Sequence, residues 1–345
     1  MIAVVGEALV DLIVGADGQV DARLGGGPYN AARTLSRLGV PAAFLGGLAD
    51  DAFGRLLRAR LAADGVALGL PGPSPRPSAL AVVAVDPAGV AGYTFYLDGT
   101  AAADVTYQAL RSGYQALAVG PVRPGPVRPG PVLPGPVLPD PVLPDPVRPA
   151  GRTALHVGSL GLVADPVGAA VQRLVAADVP DGALVLLDPN CRPGAVPDPA
   201  AYRARLGAIA HRADIVKASV EDLAYLFPAT PPEAAAKALL AAGPRLVLVT
   251  DGPHPARAFL PDAVLAADVP PVTVADTIGA GDAFGGGFLA WWTAHDLGQA
   301  ELSDPDLVTR ALTAAAAVAA LTCTRPGADP PALTDLRARN WWPNP

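Results

Sequence analysis

Short apolar, β-branched runs alternate along this chain with longer stretches in which apolar residues recur every three or four positions. Residues 2–5, 42–45, 155–157, 183–187, 214–216 and 245–250 are the strand candidates. Residues 30–38, 165–177, 200–210, 232–242 and 306–321 have helical spacing. Strands and helices taken in turn are the pattern of βαβ units, so the expected class is α/β: a doubly wound, mostly parallel sheet flanked by helices. Two other places have a different texture. Residues 79–85 and 93–97 flank the turn Asp86-Pro87-Ala88-Gly89, and residues 8–14 pair naturally with 20–24; both read as hairpins. Strands from about 8–24 and 76–100 are expected to form a small β-sheet lid over a cleft at the C-terminal ends of the parallel strands, where such folds bind ligands.

Residues 121–149 break both patterns. They read PVRPG PVRPG PVLPG PVLPD PVLPD PVRP, a five-residue repeat in which proline removes the N–H that helices and central strands require. The expectation is extended polyproline II with turns at Pro124-Gly125, Pro129-Gly130 and Pro134-Gly135. A loop tolerates such an expansion because added length raises closure entropy only slowly; a Pro-x-x-P docking segment is the functional reading. The remaining 1–345 chain is expected to be one domain carrying this insertion.

Composition narrows the class. Of 345 residues 51% are hydrophobic, yet no uninterrupted apolar run reaches the roughly 18 residues of a membrane-spanning helix. The first residues, Met1-Ile2-Ala3-Val4-Val5-Gly6-Glu7, show no basic leader and cleavage site, so a cytoplasmic protein is expected. Lys plus Arg is 25 and Asp plus Glu is 32, a net −7 that offers nucleic acid no basic surface. Cys191 and Cys323 are too few and too far apart for a disulfide framework, and the four histidines form no metal-ligand pair.

The chemistry concentrates in Asp276-Thr277-Ile278-Gly279-Ala280-Gly281-Asp282, ahead of a helix and behind residues 271–274, which look like a strand. Gly279, Ala280 and Gly281 can turn tightly at a helix mouth and aim unpaired amides, with the helix dipole, at an anion such as a transferring phosphoryl group. A carboxylate beside such a site, Asp282, suits a base that takes the proton of a hydroxyl attacking phosphorus. The run Gly285-Gly286-Gly287 weakens the helix by about 1 kcal/mol per residue against alanine, which points to close packing as compensation. Near the N-terminus, Gly26 and Gly27 let a polyol approach backbone amides, and Asp11 and Asn30 offer fork-like partners for adjacent hydroxyls.

These runs resemble the ribokinase-like (PfkB-type) carbohydrate kinases. Asp-Thr, the Gly-Ala-Gly-Asp core and the small pair before two apolar residues look like the family's C-terminal signature. Gly25-Gly26-Gly27-Pro28-Tyr29-Asn30, followed by Ala49-Asp50-Asp51-Ala52-Phe53-Gly54, looks like its sugar-binding one. Ala49 stands where the family usually has glycine, and Leu97 where fructokinase-like members often have arginine. The resemblance implies an ATP- and Mg2+-dependent kinase with Asp282 as base and Gly279, Ala280 and Gly281 as anion hole. Asp11, Gly26, Gly27, Asn30, Tyr96 and Arg192 would then bind sugar, and Asn190, Ser219, Thr250, Gly252 and Ala316 would bind ATP. Asp222 would meet Mg2+ through water. Asp276, Ile278, Thr322, Arg325 and Gly327 would match the potassium site of many relatives, and a dimer through the lid is implied. Fructose or 2-keto-3-deoxygluconate leads as substrate, before ribose or a nucleoside; from another class, a non-catalytic sugar-binding regulator with a proline-rich docking loop would keep the fold.

Overall fold

A computed structural model describes residues 1–15, 17–85, 91–119 and 154–344; the proline repeat 121–149 and the turn at 86–89 lie outside the described residues. The chain begins β1 (Ile2–Val5), β2 (Leu9–Val14), β3 (Val20–Gly25), α1 (Gly27–Arg37), β4 (Ala42–Leu45), α2 (Ala52–Ala63), β5 (Ala67–Leu68), β6 (Ala79–Val85), β7 (Ala91–Tyr96) and α3 (Tyr107–Val119). It continues β8 (Ala154–Gly158), α4 (Val167–Ala177), β9 (Leu184–Asp188), α5 (Pro199–Arg212), β10 (Ile215–Ser219), α6 (Val220–Leu226) and α7 (Pro232–Ala241). The last elements are β11 (Leu246–Asp251), β12 (His254–Phe259), β13 (Val264–Ala267), α8 (Ala280–Ala294), α9 (Pro305–Cys323) and α10 (Leu333–Arg337).

Nine strands form one sheet in the order β13-β12-β11-β10-β9-β8-β1-β4-β5. It is parallel from β11 to β5, and β12 and β13 extend it antiparallel. Successive residues of the parallel strands enter opposite cores: Ile2 and Val4 join α1, α8 and α9 on one face, while Ala3 and Val5 join α3, α4 and α5 on the other. Burial on both faces explains why these strands read as unbroken apolar runs. The first core centres on Phe284, Phe288, Trp291 and Trp292, each at most 2% exposed and each stabilising by about 1.5–3 kcal/mol or more through burial. The glycine run serves this packing: a Cβ at Gly286 would come within 2.9 Å of Thr34 on α1, and one at Gly287 within 3.0 Å of Val318 on α9.

From β1 the chain winds outward through β4 to β5; it then returns to β8, on the other side of β1, and winds the opposite way through β9, β10 and β11. The β1/β8 boundary is therefore the topological switch point, where a crevice opens at the strand C-termini. Beside it stands a four-stranded sheet of order β3-β2-β6-β7, in which two antiparallel hairpins meet through a parallel β2–β6 pair.

Helix α9 has a segment apolar and long enough to cross a membrane, but 61% of that segment is buried within the fold, largely against α8. Residues 271–274 are not a strand. Pro270 and Pro271 cannot donate to a ladder, and Val274 is 58% exposed. Alternation of apolar residues also missed α2, α3 and α6, whose buried stripes are narrow, and the edge hairpin of β12 and β13.

Candidate active site at the mouth of α8

Gly279 starts α8 with φ +77°, and a Cβ there would lie 2.5 Å from the Ala328 Cβ, so only glycine makes this turn without strain. The first helical bond runs from Ala283 N–H to the Gly279 carbonyl at 2.8 Å. Ala280 N–H donates to the Thr277 carbonyl at 3.2 Å, so it is Gly281 and Asp282 that present first-turn amides without an intrahelical acceptor.

Asp282, 8% exposed, is held by one amide on each oxygen. Asn30 Nδ2 donates to Oδ2 at 2.9 Å, and Asn190 Nδ2 donates to Oδ1 at 3.3 Å. Burial raises the Asp282 pKa above the usual aspartate value, while Asn30, Lys217 and Arg192 pull it down. The group is thus more basic than a surface carboxylate and still favoured as an anion by its neighbours. Asn30 Oδ1 is buried and has no protein partner.

Local folding sets these amides in place. Asn30 is in the first turn of α1, whose entrance is braced by Glu7: its two carboxylate oxygens accept N–H bonds from Gly27 at 3.0 Å and Gly161 at 2.7 Å. Burial pushes the Glu7 carboxyl up to about 7. Gly27 approaches so closely that a Cβ would lie 2.9 Å from Asn190 Nδ2 and 3.0 Å from Ser159. Asn190 has φ +40° just beyond β9, which swings its amide back toward Asp282 and Ser159 Oγ.

Asp11, on β2, faces the same space. Burial, then the charge of Asp282, raises its pKa to about 6, against Arg192 and Arg23. Arg192 is half-buried and donates to the carbonyls of Asn190 and Cys191 at 3.3 and 3.0 Å.

Beneath the helix mouth lies a buried ion pair that sequence reasoning missed. Lys217 Nζ is 3.1 Å from Asp188 Oδ2, both side chains are 3% exposed, and a Cβ at Gly281 would come within 2.9 Å of that ammonium. Burial opposes the Lys217 charge, but Asp188, Asp222 and Asp282 outweigh it and hold its pKa above the usual lysine value. A signal existed: Lys217 and Lys237 are the only lysines, and Lys217 interrupts an apolar strand. Next to the pair, His156 is buried with both ring nitrogens unpartnered; burial and Lys217 lower its pKa to about 4, so it is neutral.

Not every expected residue lines the helix mouth. Tyr96 is across the small sheet from the cleft: register aligns it with Leu80 and Val10, whereas Asp11 shares its face with Ala81, Phe95 and Arg23. Tyr96 is 56% exposed there, and Phe95 has the place expected of it. Ala316 is 1% exposed in the core of α9 and has no surface to offer a nucleotide. Thr322 is inside the last turn of α9, where its carbonyl accepts Arg325 N–H at 3.1 Å. Ser219 and Asp222 form the capping box of α6, and Asp222 also accepts Cys191 N–H at 2.6 Å, tying α6 to the segment after β9. Thr250 and Gly252 mark the C-terminal end of β11, two strands beyond β9 in the sheet.

The sequence pattern of the "pfkB family carbohydrate kinase" matches residues 1–122 and 154–335, passing over most of the proline repeat. The chain belongs to the pfkB family of carbohydrate kinases. As a member of that family it is a phosphotransferase acting on a sugar hydroxyl. It is 32% identical over 295 residues to a fructokinase of Rhizobium leguminosarum bv. trifolii, covering 84% of this chain and 79% of that one. With a fructokinase of Klebsiella pneumoniae it shares 30% over 296 residues, 85% of each chain. Among solved structures, a fructokinase with bound ATP from Xylella fastidiosa superposes with TM-score 0.78 at 26% identity over 98% of both chains. A fructokinase from Vibrio cholerae O395 in fructose-, ADP- and calcium-bound form gives 0.76 at 25%, over 98% of this chain and 97% of that one.

Proposed function

We propose that this pfkB-family kinase phosphorylates a primary hydroxyl of a small ketose, fructose first, using ATP. The observation that carries the reading is Asp282: a buried carboxylate gripped by Asn30 and Asn190 at the mouth of α8, beside free first-turn amides. In this reading Asp282 takes the proton as the O–H bond of the sugar breaks. The new O–P bond forms to the γ-phosphorus while the bond to the β-phosphate oxygen breaks, releasing ADP. The amides of Gly281 and Asp282, with the dipole of α8, stabilise the equatorial phosphoryl oxygens. Asp11 accepts from sugar hydroxyls, while Gly26 and Gly27 let the polyol close to the backbone. Arg192 lies where it can face the sugar or the transferred phosphate.

ATP would lie along the C-terminal ends of β9, β10 and β11, past Asn190, Ser219, Thr250 and Gly252. Mg2+, when bound, would supply charge neutralisation on the phosphates. Each Asp222 oxygen accepts one backbone N–H and keeps a lone pair, a donor set that fits contact with Mg2+ through water. The small sheet would exclude water as it covers the sugar.

ADP release measured across fructose, 2-keto-3-deoxygluconate, ribose and adenosine tests the reading. Highest kcat/KM with fructose is the expected result. Preference for adenosine would make it a nucleoside kinase, and sugar binding without any ATP consumption would make it a regulator.

A further inference from the structure

The loop that leads into α8 is held by a side chain of the small sheet. Arg23, on β3, places Nη1 2.7 Å from Asp276 Oδ2, and its Nε is 2.8 Å from Asp21. The same Asp276 oxygen accepts Gly327 N–H at 2.9 Å, and Oδ1 accepts Ile278 N–H at 3.0 Å. The Asp276 carboxylate thus has a guanidinium and two backbone N–H groups on its two oxygens, and its charge is already countered.

A potassium ion at this loop would draw on Asp276 and on nearby carbonyl oxygens replacing its hydration shell. The charged member of that donor set is already taken: the Asp276 carboxylate is paired with the Arg23 guanidinium at 2.7 Å, so an ion would meet a cation in place.

We propose that Arg23 supplies, from within the chain, the positive charge that organises the loop at 276–279, so that this kinase works without a monovalent cation. The inference rests on the kinase reading above. An uncompensated carboxylate at the mouth of α8 would repel an incoming phosphate; a guanidinium cancels it and stays protonated at any physiological pH. It also ties the turn at Gly279, which packs on Ala328, to the small sheet that carries Asp11.

The test compares wild type with Arg23→Gln in potassium chloride and in tetramethylammonium chloride at equal ionic strength, with Tl+ binding followed by equilibrium dialysis. Thermal melts in both salts establish that the variant is folded. Wild-type kcat is expected to be equal in the two salts, with no Tl+ bound. Arg23→Gln is expected to lose about fivefold in tetramethylammonium, the size of one charge at a helix terminus. It should recover in potassium and bind Tl+. Stimulation of the wild type by potassium, stoichiometric Tl+ binding by the wild type, or a variant fully active in tetramethylammonium would overturn the inference. If neither protein consumes ATP with any sugar, the kinase reading fails, and Tl+ binding by the variant alone still decides the cation question.

Discussion

Asp276 and Asp282 are six residues apart on the same glycine-rich run, yet the fold gives them opposite characters. Asp276, in the loop, collects backbone N–H groups and a guanidinium, and its pKa falls. Asp282, one turn into α8, is enclosed with only side-chain amides on its oxygens, and its pKa rises. The first holds the loop in shape; the second has a raised pKa, which suits the role of base proposed for it. Two carboxylates in one motif acquire different characters through what surrounds each.

The largest effect that would break this contrast is at the proposed base. Asp282→Asn is expected to lower kcat about 10³-fold with sugar KM little changed, measured by steady-state ADP release. An unaltered kcat would remove Asp282 from the chemistry. Next, Gly279→Ala forces a Cβ into a left-handed turn against Ala328; the strain, about 1–2 kcal/mol, should appear as lower kcat together with a lower Tm. A Tm equal to wild type would show that the turn relaxes freely.

Asn30→Ala removes the amide that favours ionised Asp282. The pKa of the base should then rise further, so the acid limb of the kcat profile moves to higher pH and activity near neutrality falls about tenfold. A profile unmoved on the pH axis would leave Asn30 only a packing role. Asp11 titrates near 6 in the free enzyme, so sugar KM is expected to rise as pH falls through 6, while kcat, read at saturating sugar, follows Asp282. A pH-independent KM from 5 to 8 would exclude the Asp11 carboxylate as a sugar acceptor.

The smallest effect is at the brace. Asp276→Asn should lower stability by about 1 kcal/mol at pH 7 in denaturant melts. Because the folded pKa of Asp276 lies below its unfolded value, that contribution is complete above the unfolded value and is lost as pH falls through the folded one. The gap between wild type and variant should therefore close in acid. A constant gap down to pH 3 would mean that the loss is not electrostatic.

Much of this architecture was legible along the chain because the parallel strands are buried on both faces, and apolar runs of that kind have little competition. Residues 2–5 and 42–45 were read to their ends. The edge hairpin of β12 and β13 was not, since edge strands mix exposed and buried positions without a clean period. The glycine motif identified α8 and Asp282, because a helix mouth has a local signature. Tyr96 and Ala316 were misplaced for the opposite reason. The face a strand residue occupies depends on register with its neighbours, and whether an alanine lines a cleft or a core depends on which helix packs over it.

By itself, then, the sequence determined the α/β class, the helix mouth at 279–282 and the family resemblance, all properties of residues close together in the chain, where backbone freedom, periodicity and helix termini are set. Only the tertiary structure decided that Asn30 and Asn190 grip Asp282 and that Lys217 lies under Gly281. It also brought Arg23 from 253 residues away to cancel Asp276. Those relations depend on which strands meet at the β1/β8 switch point, and charges act on whatever that meeting puts within a few ångströms.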